Sequence, residues 1–376
     1  MRVLHVSEVA GGGVLRLLED YTHDQRRRGM EVHTAWPARR LELEGVTHHR
    51  WAANRRRPWA APRYARQLRA IVDEVRPDVV HLHSFFAGVF GRLPGAIPAG
   101  VPVIYQPHSW AFDAVPAVLT PAVAGFERWA AGHTDLVLTN CEDEIAEAGR
   151  YRVHPDRAMA LGVSVDLTRF TPVDEREKLR LREVHGVPTD TSIYLCLGRI
   201  TRQKGQQILV PAWDQAPDPD GRLYLVGPGD PGTLAGLAPR TWNRSLFAVG
   251  ETDHPEDWYR LADVLVVPSL YEGQSVTISE ALACGLPVVC CVVNGARLAI
   301  GDDAMAAGAL VEQGDTYALL SEARRRVRDP GLRAAEGQHG RTRMESQADP
   351  EQILGRLAKI YAEFQDADGI GARRKR

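Results

Sequence analysis

The chain has 376 residues, more than one hydrophobic core usually organises, so two domains are expected. Its 46 Lys and Arg against 48 Asp and Glu give a net charge of −2, which excludes a polycation built to bind nucleic acid. Five cysteines without metal-type or redox-type spacing, no run of ~20 apolar residues and no secretory-type start predict a reducing, cytoplasmic setting with any membrane contact peripheral.

From the N-terminus, "RVLHVSEV" reads as a buried strand and Gly11, Gly12 and Gly13 as the turn behind it. Val14, Leu17, Leu18 and Tyr21 then recur at helical spacing, and Gly29 closes that helix. "EVHTAW" is a second strand. Tyr64, Leu68, Ile71, Val72 and Val75 mark one face of a second helix that Pro77 ends. "DVVHLHS", "VPVIYQPH" and "DLVLTN" follow as strands with helices between them. After a charged polar segment the rhythm restarts through "SIYLCLGRI", "RLYLVG", "SLFAVG", "DVLVVPS" and "LPVVCCVV". Near-continuous apolar strands alternating with helices predict parallel sheets covered on both faces. The expected fold class is α/β, two Rossmann-like open-sheet domains facing across a cleft. Domain limits are set at 1–170 and 171–348. A closing helix, 349–366, is expected to pack back on the N-terminal domain, and 367–376 to be a disordered basic tail.

Ligands of such sheets sit beyond the carboxyl ends of the strands, so the chemistry is sought there. In "LGRITRQKGQQ", Arg199 and Lys204 lie at a strand end beside a helix start, where cations are unfavourable for the helix dipole unless an anion joins them. A diphosphate would suit both, the arginine as a planar fork and the lysine as a point charge. In "PSLYEGQSVTISEALACGLPVV", Glu272 stands in the loop after a strand and Glu280 inside the next helix. The amides of Gly273, Gln274 and Ser275 open that helix. Ionised carboxylates only accept hydrogen bonds, so the pair suits hydroxyl-rich groups on either side of a diphosphate. Solvated charges and a helix-capping glutamate are the alternatives.

These stretches resemble the retaining glycosyltransferases of the GT4 family, which have the GT-B fold. "YEGQSVTISEALACGLPVV" is similar to their E-x7-E signature and "LGRITRQKG" to their G-R-x4-K-G element. The opening strand, glycine loop and helix, "VVHLHSFFAGVFGRL", "VPVIYQPHSWAFD" and "GVSVDLTRFTP" also resemble family segments in the right order. The resemblance implies that Arg199 and Lys204 bind the donor diphosphate without a metal. It implies that Glu272 holds hydroxyls of the donor sugar and Glu280 the ribose, with Gly273, Gln274 and Ser275 between them. Gly12 and Gly13 would approach the diphosphate or the acceptor, and His108 would lie near the reacting centre. No cofactor is implied; a nucleotide sugar is the donor substrate, with uridine expected on family frequency. Three departures stand out: Gln274 and Ser275 replace an aromatic residue and glycine, "NGARLA" at 294–299 lacks the family's glutamate, and "LGVSVD" lacks P-N-G.

Residues 50–69 carry seven arginines and no acid, with Trp51, Trp59 and Tyr64 interleaved. Such a stretch can dock on an anionic membrane or a lipid diphosphate, or form a solvated helix face. It points to a lipid-linked saccharide, or else a natural product, as acceptor. "DPD" at 218–220 imitates a metal motif but reads as a turn, and His81 with His83 lacks an evident third metal ligand. The competing functions are a nucleotide-sugar epimerase on the same fold and a catalytically silent nucleotide-sugar-binding protein.

Overall fold

A computed structural model describes residues 1–9, 11–37 and 43–365; the expected basic tail at 367–376 lies outside the described residues. The chain divides into two compact units, Met1–Ser164 with Pro350–Arg376, and Val165–Asp349. The first limit falls at 164/165, where 170/171 was expected. The cause is local: the Val165 amide donates to the Ala348 carbonyl at 3.0 Å, and Val165 and Phe170 are buried in the second unit's core.

The first unit is built on strands β1 (Arg2–Ser7), β2 (Glu31–Trp36), β3 (Thr47–Arg50), β4 (Val79–His83), β5 (Val103–Gln106), β6 (Leu136–Thr139) and β7 (Ala158–Ala160). All pair in parallel, in the order β3-β2-β1-β4-β5-β6-β7. The edge strand β3 escaped the sequence reading because "THHR" carries little apolar pattern. Leu4, Val6, Val80 and Leu82 pack on one face with Leu68 and Val72 of the helix Ala61–Val75, whose apolar stripe is the predicted one. His5, His81 and His83 lie on the opposite face, against Gln25 of the helix Gly12–Arg27 and Tyr361 of the helix Pro350–Gln365. The closing helix is therefore part of this unit's core.

The second unit is a parallel sheet of β8 (Ser192–Leu197), β9 (Gly221–Val226), β10 (Leu246–Gly250), β11 (Val264–Val267), β12 (Val288–Cys291) and β13 (Gly308–Val311), in the order β10-β9-β8-β11-β12-β13. The charged segment before β8 holds a helix, Glu175–Val184, that hydrophobic spacing did not reveal because seven of its ten residues are charged. Asp174 caps it by accepting from the Glu177 amide at 2.8 Å, and Arg182 reaches Asp263 at 2.8 Å. Asp218 of "DPD" accepts from the Tyr194 hydroxyl at 2.5 Å inside a turn closed by the Gly221 amide. Among the described residues, no helix is long and apolar enough to cross a membrane.

Candidate active site

In the second unit the chain runs from β8 outward to β9 and β10, then crosses back to start β11 on the other side of β8. The carboxyl ends of β8 and β11 therefore flank a topological switch point, where the two following loops separate and leave a crevice. Arg199 and Lys204 come from the loop after β8, and Glu272 to Ser275 from the loop after β11. Gly205 makes their approach possible. Its φ is +73°, and a β-carbon there would stand 2.0 Å from the Pro268 carbonyl oxygen. The Leu270 amide also donates to the Gln203 carbonyl at 2.8 Å, and the Gln203 side chain to Tyr271 O at 3.1 Å. Replacing Gly205 by Ala is expected to wedge these loops apart and lower the melting temperature by about 5–10 °C in a thermal unfolding scan.

Lys204 and Glu272 meet across the switch point, with Nζ 2.6 Å from Oε1. Ser269 Oγ donates to the same oxygen at 2.8 Å, while among the described residues Oε2 receives only a long 3.4 Å contact from Gln203. The geometry divides the labour. An ammonium has three protons, so Lys204 keeps two for an anion after serving Glu272. Glu272 in turn keeps most of Oε2 for a hydroxyl. Arg199 is exposed on the same loop, and among the described residues its guanidinium meets no acid. Glu280, on the helix Val276–Ala283, accepts from the Tyr259 hydroxyl at 2.9 Å, which fixes the carboxylate without neutralising it.

Between the two glutamates, Gln274 Oε1, Ser275 Oγ and Ser279 Oγ are buried without a hydrogen-bond partner among the described residues. Buried polar atoms are paired in all but a few cases, so three orphans in one stretch point to a polar ligand. Ser275 stands at the N-cap but its side chain makes no cap bond; the third helical amide, Ile278, donates to the Ser275 carbonyl at 3.2 Å. The short "NGARLA" loop after β12 packs here too: a β-carbon on Gly295 would come 2.9 Å from the Gln274 side chain. Gln203, Ser269 and Tyr259 complete the site. Sequence reasoning missed them, although the first two adjoin the motifs it found.

The first unit has its own switch point, between β1 and β4. Gly12 and Gly13 open the helix Gly12–Arg27 there, with Gly12 at φ +63°. Glu8, overlooked in the sequence, spans the two loops by accepting from the Ala87 amide at 2.8 Å and the Phe86 amide at 3.3 Å. Burial pushes its carboxyl up to about 7, against the opposing pull of those amides. His108 follows β5 with φ +57°, a left-handed conformation that non-glycine residues adopt at a cost and that clusters at functional sites. Its Nε2 lies 3.0 Å from His83 Nδ1.

Residues 191–329 match the family description "Glycosyl transferases group 1", and residues 11–169 match "Glycosyltransferase Family 4". The chain is 33% identical over 290 residues to the D-inositol 3-phosphate glycosyltransferase of Xylanimonas cellulosilytica, which spans 70% of this chain and 68% of the relative. Its fold resembles sucrose-phosphate synthase from Thermosynechococcus elongatus, with a TM-score of 0.85 at 22% identity over 98% of this chain and 100% of that one. It also resembles Anabaena HepE in complex with UDP-glucose, with a TM-score of 0.80 at 18% identity over 96% and 100%. The two parallel sheets of seven and six strands match the fold of GT-B enzymes; the chain is a glycosyltransferase belonging to the GT4 family.

Proposed function

We propose that the enzyme transfers a sugar from a uridine diphosphate sugar to a hydroxyl acceptor, with retention at the anomeric carbon and without a metal. The observation that carries this reading is the Lys204–Glu272 pair at the switch point, flanked by the exposed Arg199 and by three orphaned polar side chains. Arg199 and the two spare Lys204 protons would hold the diphosphate; Glu272 Oε2 would take sugar hydroxyls and Glu280 the ribose. The acceptor oxygen would bond to the anomeric carbon on the face from which the phosphate oxygen departs. The departing β-phosphate oxygen would take the acceptor proton. Positive groups already in place where charge develops supply the main rate term. The relative is named as a transferase, which favours transfer over the epimerase and silent-binding readings.

A thermal-shift panel of UDP, ADP, GDP and their glucose conjugates tests the donor. UDP and UDP-glucose at 1,000-fold excess over Kd should stabilise by about 4 kcal/mol, unchanged by a chelator. Equal shifts for all three bases, or a shift that disappears with the chelator, would defeat the assignment.

For the acceptor, the 50–69 stretch supports an anionic partner, but on fewer groups than its sequence suggested. Trp51 and Tyr64 are buried, the Trp51 indole donating to Tyr64 O at 3.0 Å, so they are core residues and only Trp59 is exposed, at 76%. Exposed Arg55, Arg56, Arg57, Arg63 and Arg66 remain near it in the chain. The enzyme should float with vesicles containing anionic lipid and not with neutral ones, and Trp59→Ala with Arg55, Arg56 and Arg57 all changed to Ala should abolish flotation. An inositol phosphate, which the relative's name contains, is the soluble anionic candidate and should compete with the anionic vesicles in that assay.

A further inference from the structure

Behind the first unit's switch point lies a connected row of buried imidazoles. His5 Nε2 is 2.9 Å from Gln25 Oε1, and His5 Nδ1 is 2.9 Å from His83 Nε2. His83 Nδ1 is then 3.0 Å from His108 Nε2. Beside the row, His81 Nδ1 lies 2.6 Å from the Tyr361 hydroxyl. The last atom of the row, His108 Nδ1, is buried and has no partner among the described residues.

The chemistry of imidazole gives this row a direction. A carboxamide oxygen only accepts, so the His5 Nε2 facing it carries the proton. A neutral ring has one donor and one acceptor, so His5 Nδ1 is bare and must receive a proton from His83 Nε2. By the same step His83 Nδ1 is bare and receives from His108 Nε2. His108 Nδ1 is then left as a lone pair, able to accept and unable to donate. The argument needs neutral rings, and burial supplies them: His5 is held down to about 4 and His108 to about 3, with His81 and His83 also well below their ordinary value.

We propose that His5, His83 and Gln25 are positioning residues that lock His108 in its Nε2–H tautomer, so that Nδ1 accepts a hydrogen bond from a sugar hydroxyl. This rests on the reading, implied by the family resemblance, that His108 lies near the reacting centre. The neighbouring tautomer is what second partners of functional histidines ordinarily set. His5, His81 and His83 also bring ligand-type nitrogens within 4.8 Å of one another, the third member that His81 and His83 lacked in the sequence. A metal there is disfavoured because 2.9 Å between His5 and His83 is a hydrogen-bond distance. In addition, no carboxylate among the described residues joins the three to neutralise a buried dication.

The test is long-range proton–nitrogen NMR of the full chain labelled at histidine ring nitrogens, with His108→Ala used for assignment. At neutral pH, His108 Nδ1 should give a bare-nitrogen signal and Nε2 a protonated one. Gln25→Met and His83→Phe should mix the two forms and lower kcat about tenfold with UDP affinity unchanged. Gln25→Glu, still an acceptor, and His83→Asn, whose amide oxygen can replace Nδ1, should recover most of the turnover and the single tautomer. A proton on His108 Nδ1 in the unaltered enzyme, an unchanged His108 spectrum in Gln25→Met and His83→Phe, or stoichiometric zinc in the purified protein would each overturn the relay. Full turnover by His108→Ala would overturn the sugar contact while leaving the tautomer spectrum intact, so the two failures can be told apart.

Discussion

Lys204→Ala is expected to lower kcat by about 10²–10³ while the chain remains folded. The size follows from placement. Lys204 sits at the switch point with one proton on Glu272 and two to spare, in a crevice where water competes poorly for an anion. Removing the ammonium takes away the charge that would meet the departing phosphate, and leaves Glu272, only 7% exposed, without its cation. Breaking one partner of a buried pair costs about 3 kcal/mol, so the variant should also melt early. Lys204→Ala combined with Glu272→Gln separates the two effects. The double variant should regain most of the lost stability and none of the lost turnover, since the carboxylate charge goes while the phosphate cation stays absent. UDP release at saturating donor and acceptor measures the first quantity and urea unfolding the second. Near-native turnover in Lys204→Ala would falsify the diphosphate assignment.

The first unit should be acid-sensitive in a characteristic window. In the unfolded chain His5, His81, His83 and His108 take protons near 6.5, whereas in the fold burial holds His5 down to about 4, His108 to about 3, and the other two well below 6.5. Below 6.5 the unfolded state therefore binds more protons, and stability falls with falling pH. Three carboxyls act oppositely: desolvation raises half-buried Glu8 to about 7, and burial raises Glu144 to about 8 and Glu127 upward despite Arg92. They stabilise the fold as pH falls towards 4.5, where their unfolded forms also become protonated and the gain stops. The expected profile has its maximum near neutrality, a shallow decline to about 4.5, and then a loss of a few kcal/mol per pH unit. A unit of ordinary stability opens within about two pH units of that point. Urea midpoints at pH 7, 5.5 and 4, with hydrogen exchange to locate the opening in residues 1–164, measure it. A midpoint constant from pH 7 to pH 4 would refute it.

The sequence was sufficient for the repeating strand–helix order, because that pattern is local. "EVHTAW" is β2 residue for residue, and the apolar stripe of Ala61–Val75 is the one the spacing predicted. Where apolar contrast was low, the reading failed: β3 is a polar edge strand and Glu175–Val184 hides its buried face among seven charges. The resemblance of "LGRITRQKG" and "YEGQSVTISEALACG" to family motifs also singled out Lys204 and Glu272, which the fold pairs at 2.6 Å.

Strand order was the main thing the linear pattern could not supply. Lys204 and Glu272 are 68 positions apart and meet only because β11 returns beside β8. His5 and His81 are opposite each other only because β1 and β4 are adjacent and in parallel register. Tyr361 reaches His81 because the closing helix folds into the first unit rather than the one it follows in the chain. A side chain's residue type is written in the sequence, but its partner is chosen by which strands lie next to each other. That choice minimises exposed apolar surface and unpaired polar groups over the whole unit, so no single stretch of chain contains it.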